Sequence, residues 1–518
     1  MTTISGQLLK TGVQLGYRAA NTIKAVKPEK PIQQQEKVLR YLLQMAQQTQ
    51  FGRAYGFEEL LRSKQCTKEF RKRVPVFDYD SLYKTWWHQY QDNAVGAADV
   101  TWPGKVNYFA LSSGTSTGTS KYIPETDDML KTFRTTSMRL IFTLPEFHLP
   151  SHFWGTQILM IGGCTNLKKR NNFYMGDLSG ISYNKLPKWF NHYYQPHKNI
   201  TDIDDWFARL ELIVEQAPNW NIGALVGIPS WISLMLQHII DKYGLNTMHD
   251  IWPNLSVLVH GGIAFEPYRK VMEKQFGQKM IYIDTYFASE GSIAFQSRPD
   301  THSLQMVLNN GMFFEFVPFN DQNFTPNGEM LPNAKTLLIN EVEPGKDYAL
   351  LLSTCAGAWR YLIGDTIRFT NVANAEIIVT GRTKHFLSLC GEHLSVDNMN
   401  HAIEDVETEL NISIPEFAVC GVTEDNRYAH RWFIGTDAKD IDVPTLTRIL
   451  DQKLKSLNDD YCTERESNIL SHISVEIFPV SAFYSWMEKS GKMGGQHKFP
   501  RVLKGQALQT WLEHIDTL

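Results

Sequence analysis

The 518-residue chain is 43% hydrophobic and 20% charged and carries a formal net charge of −4, which is the composition of a globular protein with core enough for two to four domains. Positive and negative residues are interspersed, so the chain has neither the basic tract of a nucleic-acid-binding protein nor the acidic tail of a disordered arm. Its six cysteines lie far apart and form no CxxC pair, which indicates neither a zinc site nor a disulfide scaffold and favours reduced thiols in a cytoplasm.

The first 28 residues contain four Lys or Arg and no acidic residue. They lack the continuous apolar core of a secretory signal, and we expect an amphipathic helix that packs on the body of the protein. The most apolar stretch of the chain, residues 222–240, is interrupted by Gly227, Pro229 and Gln237, among others. A membrane span needs about 20 mostly apolar residues, so the sequence predicts none.

Strand-like and helix-like patterns then alternate along the chain. Apolar residues at helical spacing predict a helix over residues 33–49. The segments that follow are strands at 106–111, 157–161 and 255–259 and helices at 206–216, 231–243 and 266–275. Such alternation predicts an α/β protein with mixed or parallel sheets.

The pattern changes after Arg382. Helices over residues 396–410 and 443–457 are accompanied there by short strands. We therefore predict a large N-terminal α/β domain, residues 1–383, followed by a smaller α+β domain, residues 384–518.

A loop rich in Ser, Thr and Gly occupies residues 111–121 and ends at Lys121. Its glycines let the backbone approach an anion, and its hydroxyls and Lys121 add further donors and a positive charge, which suits a triphosphate. The spacing between Gly114 and Gly118 does not match a Walker A loop. A flexible Ser/Gly linker is the alternative, but the strand-like segment before the loop and the helical one after Thr126 favour an ordered anion site.

Two glycines, Gly261 and Gly262, directly follow a buried strand. Without side chains they leave room for a planar ligand against the backbone. A simple tight turn is the alternative meaning of the pair.

The segment from residue 284 to 291 carries three residues suited to a nucleotide. Tyr286 can stack on a purine, Ser289 can donate to a phosphate, and Glu290 can bind Mg²⁺, which prefers carboxylate and phosphate oxygens. The alternative is a core strand that ends at a turn, with Glu290 merely exposed.

Four charged residues complete the pattern. Asp365 follows a glycine at the end of an apolar stretch, where its carboxylate can accept both ribose hydroxyls, and Arg382 can bind ribose or phosphate. Lys384 lies where the two predicted domains join, and Lys498 follows a Gly-Gly pair that can deliver it to a charged phosphate oxygen. Taken singly, each has a plainer explanation. A Gly-Asp pair more commonly forms a turn between strands, Arg382 and Lys384 suit a hairpin turn with solvated basic residues, and a lone lysine such as Lys498 is more often a solvated loop residue.

The order of these features resembles that of the adenylating superfamily of acyl-CoA synthetases, peptide-synthetase adenylation domains and luciferase. Within it, the chain is most similar to the auxin-responsive acyl-acid amido synthetases, as a bacterial-type member. The similar motifs are Ser-Ser-Gly-Thr-Ser at 112–116, Tyr-Phe-Ala-Ser-Glu at 286–290, Trp-Arg-Tyr at 359–361 with Gly-Asp at 364–365, and Gln-His-Lys-Phe-Pro-Arg at 496–501.

This resemblance implies a role for each matching residue, a large domain that binds ATP and the acyl substrate, and a mobile C-terminal domain. The implied cofactor site consists of Ser113, Gly114, Thr115, Ser116 and Lys121 at the phosphates, Gly261, Gly262 and Tyr286 at the adenine, Ser289, and Asp365 and Arg382 at the ribose. Glu290 would be the catalytic and Mg²⁺-binding carboxylate, Lys498 the mobile catalytic lysine and Lys384 the hinge. Leu225 and Trp231 are candidates for the acyl pocket, with a core position as the alternative.

The implied activity is that of a cytoplasmic ligase using ATP and Mg²⁺. It would convert a small carboxylic acid into an acyl-adenylate and transfer the acyl group to an amine, an amino acid above all. An acyl-CoA ligase and a non-catalytic nucleotide-binding protein are the alternatives.

Overall fold

A computed structural model describes residues 4–26, 29–92, 97–112, 121–186, 188–325, 328–383, 387, 389, 392, 394–424, 427–466, 470–491 and 498–518. The helices are α1 Ile4–Val26, α2 Pro31–Ala46, α3 Gln50–Ala54, α4 Phe57–Arg62, α5 Cys66–Arg73, α6 Tyr79–Leu82, α7 Gln89–Asp92, α8 Asp127–Thr143, α9 Leu178–Tyr183, α10 Lys198–Thr201, α11 Trp206–Gln216, α12 Pro229–Tyr243, α13 Glu266–Gln275, α14 Val396–Leu410, α15 Val443–Leu457, α16 Asp459–Glu466, α17 Val480–Lys489 and α18 Gly505–Ile515.

The strands are β1 Tyr108–Ser112, β2 Lys121–Glu125, β3 Gln157–Ile161, β4 Lys168–Arg170, β5 Phe173–Gly176, β6 Tyr194–Gln195, β7 Ile222–Gly227, β8 Val257–Gly261, β9 Ile281–Ala288, β10 Gly291–Phe295, β11 Leu304–Met306, β12 Met312–Pro318, β13 Asp347–Thr354, β14 Tyr361–Asn371, β15 Glu376–Arg382, β16 Glu416–Glu424, β17 Arg427–Gly435 and β18 Ser474–Phe478.

A mixed sheet forms the centre of the large domain. Its order is β12-β13-β14-β15-β11-β10-β9-β8-β7-β3-β6. The strands from β9 to β6 are parallel to their neighbours, whereas those from β9 to β12 pair antiparallel. The predicted α/β class with mixed sheets is confirmed.

Most predicted elements lie where the periodicity put them, and the differences have local causes. The helix expected over residues 33–49 begins at Pro31 and ends at Ala46, because Thr49 caps the next helix by accepting the Gly52 N–H at 2.9 Å. The strand expected over 255–259 is shifted by two residues: β8 begins at Val257 and ends at Gly261, which pairs with Thr285 of β9.

One hydrophobic core joins two parts of the chain that are far apart in sequence. Residues of α2 to α5 and α8 pack with those of β12 to β15 in a single buried cluster. Gln35 of α2 is buried and donates to the carbonyls of Leu308 and Met312 at 2.7 and 3.0 Å, while its side-chain oxygen accepts from the Phe314 N–H at 2.7 Å. The N-terminal helices are therefore part of the large domain's core.

The N-terminal helix α1 packs on the body as the sequence predicted. Val13 is buried in a cluster with Leu144, Phe147 and Trp154. Among the helices described here, none combines the length and apolar character required to cross a bilayer.

The C-terminal part contains a three-stranded sheet of β16, β17 and β18. Helices α14 and α15 share a hydrophobic cluster with this sheet. A second cluster joins α17 and α18 to α11, α12 and α13 of the large domain, where Tyr484 lies 6.2 Å from Trp231 between ring centroids. The C-terminal part is thus docked on the large domain at the end of the sheet that carries β7 and β8.

Candidate active site

Those predicted nucleotide residues that the structure describes lie near the carboxyl ends of the parallel strands, which is where ligands bind in open α/β sheets. β8 ends at Gly261, and β9 ends at Ala288 just before Ser289 and Glu290. At Gly261 a Cβ atom would lie 2.3 Å from the Thr285 carbonyl oxygen, and Gly262 adopts φ +81. Both glycines are therefore required by the close approach of β9 and by the turn itself.

Asp365 and Arg382 are direct partners across the β14–β15 ladder. Arg382 Nε donates to Asp365 Oδ1 at 2.8 Å, and the Tyr286 hydroxyl donates to Asp365 Oδ2 at 2.6 Å. Burial and the neighbouring Asp365 carboxylate raise the pKa of Tyr286 well above its usual value. Asp365 raises the pKa of Arg382. The two residues predicted for the ribose are thus in contact, with Tyr286 beside them.

Glu290 is buried at the turn after β9 and accepts a hydrogen bond from the Tyr361 hydroxyl at 3.2 Å. Burial raises the pKa of this carboxyl group, while the positive charge of Lys121 opposes the change. Ser289 is also buried, and its hydroxyl makes no hydrogen bond within the described residues. Glu290 is therefore a buried carboxylate facing a lysine rather than an exposed turn residue.

Two lysines bring positive charge to this carboxylate cluster. Lys121, at the start of β2, lies 5.4 Å from the ring centroid of Tyr79, and burial lowers its pKa while Glu290 opposes that shift. Lys498 donates from Nζ to the Gly262 carbonyl oxygen across 236 positions of sequence. Although Lys498 keeps exposed surface, desolvation by the surrounding cleft lowers its pKa to about 8, with a further contribution from Arg382.

The remaining predicted residues fall in two groups. Ser113, Gly114, Thr115 and Ser116 of the phosphate loop and the hinge residue Lys384 lie outside the described residues. The strands that flank the loop, β1 and β2, pair antiparallel with Ser112 opposite Lys121.

Leu225 and Trp231 are fully buried core residues. Trp231 packs edge-on against Trp206, with ring centroids 5.3 Å apart. Their position agrees with the alternative interpretation, and contact of either side chain with a substrate stays a prediction.

The motif at residues 359–361 contains a buried hydrogen-bond network that the sequence pattern did not reveal. Arg360 is buried with φ +43 and donates from Nε and Nη2 to both carboxylate oxygens of Glu315 at 2.8 and 2.9 Å. Its Nη1 donates to the carbonyls of Arg71 and Val74. Because Tyr361 follows directly, this network holds the start of β14 so that the Tyr361 hydroxyl reaches Glu290.

A hydrogen-bonded latch joins the C-terminal part to the large domain. It consists of Tyr268 on α13, Glu416 on β16 and Arg501. The Tyr268 hydroxyl donates to Glu416 Oε1 at 2.6 Å, and Arg501 Nη1 donates to Glu416 Oε2 at 2.7 Å. Since Arg501 lies three residues after Lys498, the latch sets the position of the lysine that reaches Gly262.

Comparison with known proteins identifies the family. Family models for the GH3 N-terminal, central and C-terminal domains match residues 24–214, 305–377 and 397–507. The chain belongs to the GH3 family. These three matches run in order along most of the chain, and they confirm the family named from the sequence motifs.

Individual GH3 relatives are distant. A jasmonoyl–L-amino acid synthetase GH3.5 of Oryza sativa subsp. japonica is 25% identical over 276 residues, which cover 49% of this chain and 46% of the relative. The chain thus spans about half the length of such curated relatives.

Solved structures agree in fold. An acyl acid amido synthetase AtGH3.15 in complex with 2,4-DB superimposes with a TM-score of 0.76 at 18% identity, over 96% of both chains. A 2-hydroxyisobutyryl-CoA ligase in the postadenylation state gives 0.55 at 13% identity, over 93% of this chain and 91% of the other. The fold is therefore that of GH3 proteins and, more distantly, of a CoA ligase.

Proposed function

We propose that this GH3 protein adenylates a carboxylic acid with ATP and then transfers the acyl group to an amine, which is an amino acid. The observation that carries the proposal is the convergence of Glu290, Asp365, Arg382 and Lys498 at the carboxyl ends of β8 and β9. GH3 relatives named as indole-3-acetic acid-amido synthetases support the same activity.

In the first half-reaction a carboxylate oxygen of the acid attacks the α-phosphorus of ATP. The new P–O bond forms as the bond to pyrophosphate breaks, which yields an acyl-adenylate. Negative charge on the phosphate oxygens must be stabilised in a fixed site. Lys498 at Gly262, together with Lys121 and Arg382, supplies positive charge on the same side of the sheet.

In the second half-reaction the amine nitrogen attacks the acyl carbon. The C–N bond forms, the C–O bond to AMP breaks and the amine loses a proton. The leaving group is AMP, so the enzyme never has to expel oxide from a free carboxylate. We propose that residues 384–518 move about Lys384 between the two half-reactions, which excludes water from the reactive anhydride.

The donors present fit Mg²⁺. Mg²⁺ binds through one or two carboxylates plus substrate phosphates, and Glu290 offers such a carboxylate next to Ser289 and Lys121. In the described residues no group of three or more His, Cys, Asp or Glu side chains could hold a metal by itself, which agrees with a site completed by phosphate. Bound there, Mg²⁺ would neutralise phosphate charge.

For the nucleotide, we propose that Asp365 accepts hydrogen bonds from the ribose hydroxyls while it keeps its ion pair with Arg382. Tyr286 and the Gly261–Gly262 turn would border the adenine. The loop residues Ser113 to Ser116 would surround the phosphates with Lys121. We further propose a cytoplasmic location, because every cysteine among the described residues is free. The proposal includes no nucleic-acid partner.

Exchange of labelled pyrophosphate into ATP, measured over a panel of carboxylic acids, tests the first half-reaction. We expect exchange that depends on the acid and on Mg²⁺. Mass spectrometry of products formed with mixed amino acids, or with CoA, then identifies the acceptor. A thioester would assign the protein as an acyl-CoA ligase, and the absence of exchange with every acid would favour a non-catalytic nucleotide-binding protein.

A further inference from the structure

A short segment before β1 lies against the proposed nucleotide site. It covers residues 77–87 and contains α6. Two backbone hydrogen bonds join its first residue to β14 and the residue before that strand: the Phe77 N–H donates to the Arg360 carbonyl at 3.0 Å, and the Leu362 N–H donates to the Phe77 carbonyl at 2.8 Å. The segment is therefore held beside the part of β14 that contains Tyr361.

Tyr79 of this segment contacts the start of β2 in two ways. Its hydroxyl oxygen accepts a hydrogen bond from the Tyr122 N–H at 2.8 Å. Lys121 Nζ lies 5.4 Å from the centroid of the Tyr79 ring, which is within the distance at which an aromatic face attracts a cation. Burial raises the pKa of Tyr79 to about 12, so its hydroxyl stays neutral at physiological pH. One side chain thus contacts both the charge of Lys121 and the backbone that carries it.

Aromatic rings connect Tyr79 to the residues around Glu290. The buried Trp87 ring lies edge-on to Tyr79 with centroids 6.3 Å apart, and its centroid is 5.9 Å from that of Tyr361. The Tyr361 hydroxyl donates to Glu290 at 3.2 Å. Lys121 and Glu290 are therefore held on one packed frame, in which Trp87 lies between the tyrosine that contacts the lysine and the tyrosine that contacts the carboxylate.

Lys121 depends on this contact for its position. A lysine ammonium sits at the end of a long flexible stem, and within the described part of the chain Lys121 Nζ makes no hydrogen bond or ion pair. The charge of Glu290 acts on it without direct contact. The face of the Tyr79 ring is the group that limits where this ammonium can lie.

We propose that Tyr79 is a positioning residue for Lys121. Its ring holds the ammonium group toward Glu290 and the phosphates of ATP, and its hydroxyl fixes the start of the strand that carries the lysine. This inference rests on the proposed function, in which Lys121 contacts the phosphates. Tyr79 acts through Lys121 and takes no part in the chemical steps.

Binding of ATP with Mg²⁺ to the full-length protein, measured by calorimetry, tests the proposal. Tyr79→Phe keeps the ring and loses the hydroxyl, and it should weaken ATP binding by about 2- to 12-fold, the scale of one neutral hydrogen bond. Tyr79→Leu loses the ring as well and should weaken binding by about 5- to 70-fold. The partial recovery in Tyr79→Phe then measures the contribution of the ring.

A double-mutant cycle separates positioning of the lysine from a general structural role. Because Tyr79 acts through Lys121, adding Tyr79→Leu to Lys121→Gln should cause little further loss of ATP binding. Thermal denaturation checks that each variant is folded, and Tyr79→Phe replaces Tyr79→Leu in the cycle if the leucine variant does not fold.

Tyr83→Phe is a matched control from the same segment. The Tyr83 ring stacks on the Tyr79 ring with centroids 5.6 Å apart, but its hydroxyl donates to Gln91 at 3.0 Å and not to β2. This variant loses one hydrogen bond, as Tyr79→Phe does, and should bind ATP like the wild type.

Equal ATP affinity in the wild type and both Tyr79 variants would overturn the proposal. So would losses that multiply in the double variant, or a loss in Tyr83→Phe as large as that in Tyr79→Phe. ATP binding that depends on Tyr79 in a protein without acid-dependent pyrophosphate exchange would reject the proposed function and leave the positioning role standing. Exchange at the wild-type rate and ATP affinity in Tyr79→Leu would do the reverse, and a wild type that binds no ATP would overturn both.

Discussion

The latch between the C-terminal part and the large domain makes a specific kinetic prediction. Tyr268→Phe removes the hydroxyl that donates to Glu416 and accepts from Arg501 at 3.3 Å. Glu416 keeps its ion pair with Arg501 at 2.7 Å, so no charge is left unpaired. The variant should therefore fold, with its effect confined to docking of the C-terminal part.

The expected magnitude follows from the bond that is lost. A hydrogen bond to a charged group contributes about 1.5 to 3 kcal/mol, which shifts the docking equilibrium by roughly 10- to 150-fold. The docked arrangement is the one in which Lys498 Nζ donates to the Gly262 carbonyl oxygen. Formation of the acyl-adenylate should fall by up to that factor, and by less if the docked state strongly predominates in the wild type.

Single-turnover measurements separate the two half-reactions. Formation of acyl-AMP from acid and ATP should slow in Tyr268→Phe, whereas aminolysis of acyl-adenylate supplied to the enzyme should keep its rate or gain. Tyr282→Phe serves as a matched control, because the Tyr282 ring packs on Phe265 within the large domain and Tyr282 is not one of the three latch residues. Equal loss in both half-reactions, or a loss as large in Tyr282→Phe, would refute the positioning role.

Three further predictions concern ionisable groups. Glu290→Gln should abolish Mg²⁺-dependent pyrophosphate exchange while leaving the circular dichroism spectrum unchanged, and exchange at the wild-type rate would remove Glu290 from the mechanism. The first half-reaction should slow as pH rises through about 8, because desolvation lowers the pKa of Lys498 to about 8 and only the charged lysine stabilises phosphate. The Lys498→Arg variant should not show this decline in rate. If the decline persists in that variant, the titrating group is not Lys498. Burial raises the pKa of Glu407 from 4.5 to about 7, so the stability it contributes is complete below pH 4.5 and is lost as pH rises through 7. Glu407→Gln should therefore raise the free energy of unfolding at pH 8 by up to about 3 kcal/mol, which urea denaturation at pH 8 would detect and an unchanged midpoint there would contradict.

Much of the fold was predictable because periodicity and capping act locally. The helix over residues 206–216 has the bounds that the sequence predicted, since Asp205 caps it by accepting the Ala208 N–H at 2.7 Å and Pro218 follows its end. Gly244 at φ +60 likewise terminates α12. The order of the nucleotide motifs was predictable for a different reason, namely resemblance to a family.

The partners of buried charges could not be predicted, because they join residues that are remote in sequence. The motif at 359–361 was visible, yet nothing local showed that Arg360 pairs with Glu315 or that Tyr361 reaches Glu290. The latch joins Tyr268 to Glu416 across 148 positions. Trp231 lies at the start of a helix, where an apolar residue suits both a core and a substrate pocket. Its burial against Trp206 in the structure assigns it to the core.

The core that joins the N-terminal helices to β12–β15 can be completed only late in translation. Its members extend from Val38 to Ile377, so a chain emerging from the ribosome cannot bury the apolar faces of α2 to α5 until the last of those strands has been translated. At roughly 5 to 20 residues per second, the interval from Val38 to Ile377 is about 17 to 68 s. Throughout it, the first helices present incompletely buried leucine and phenylalanine side chains to solvent, where chaperones can bind them. A fragment that stops before β12 cannot complete this core.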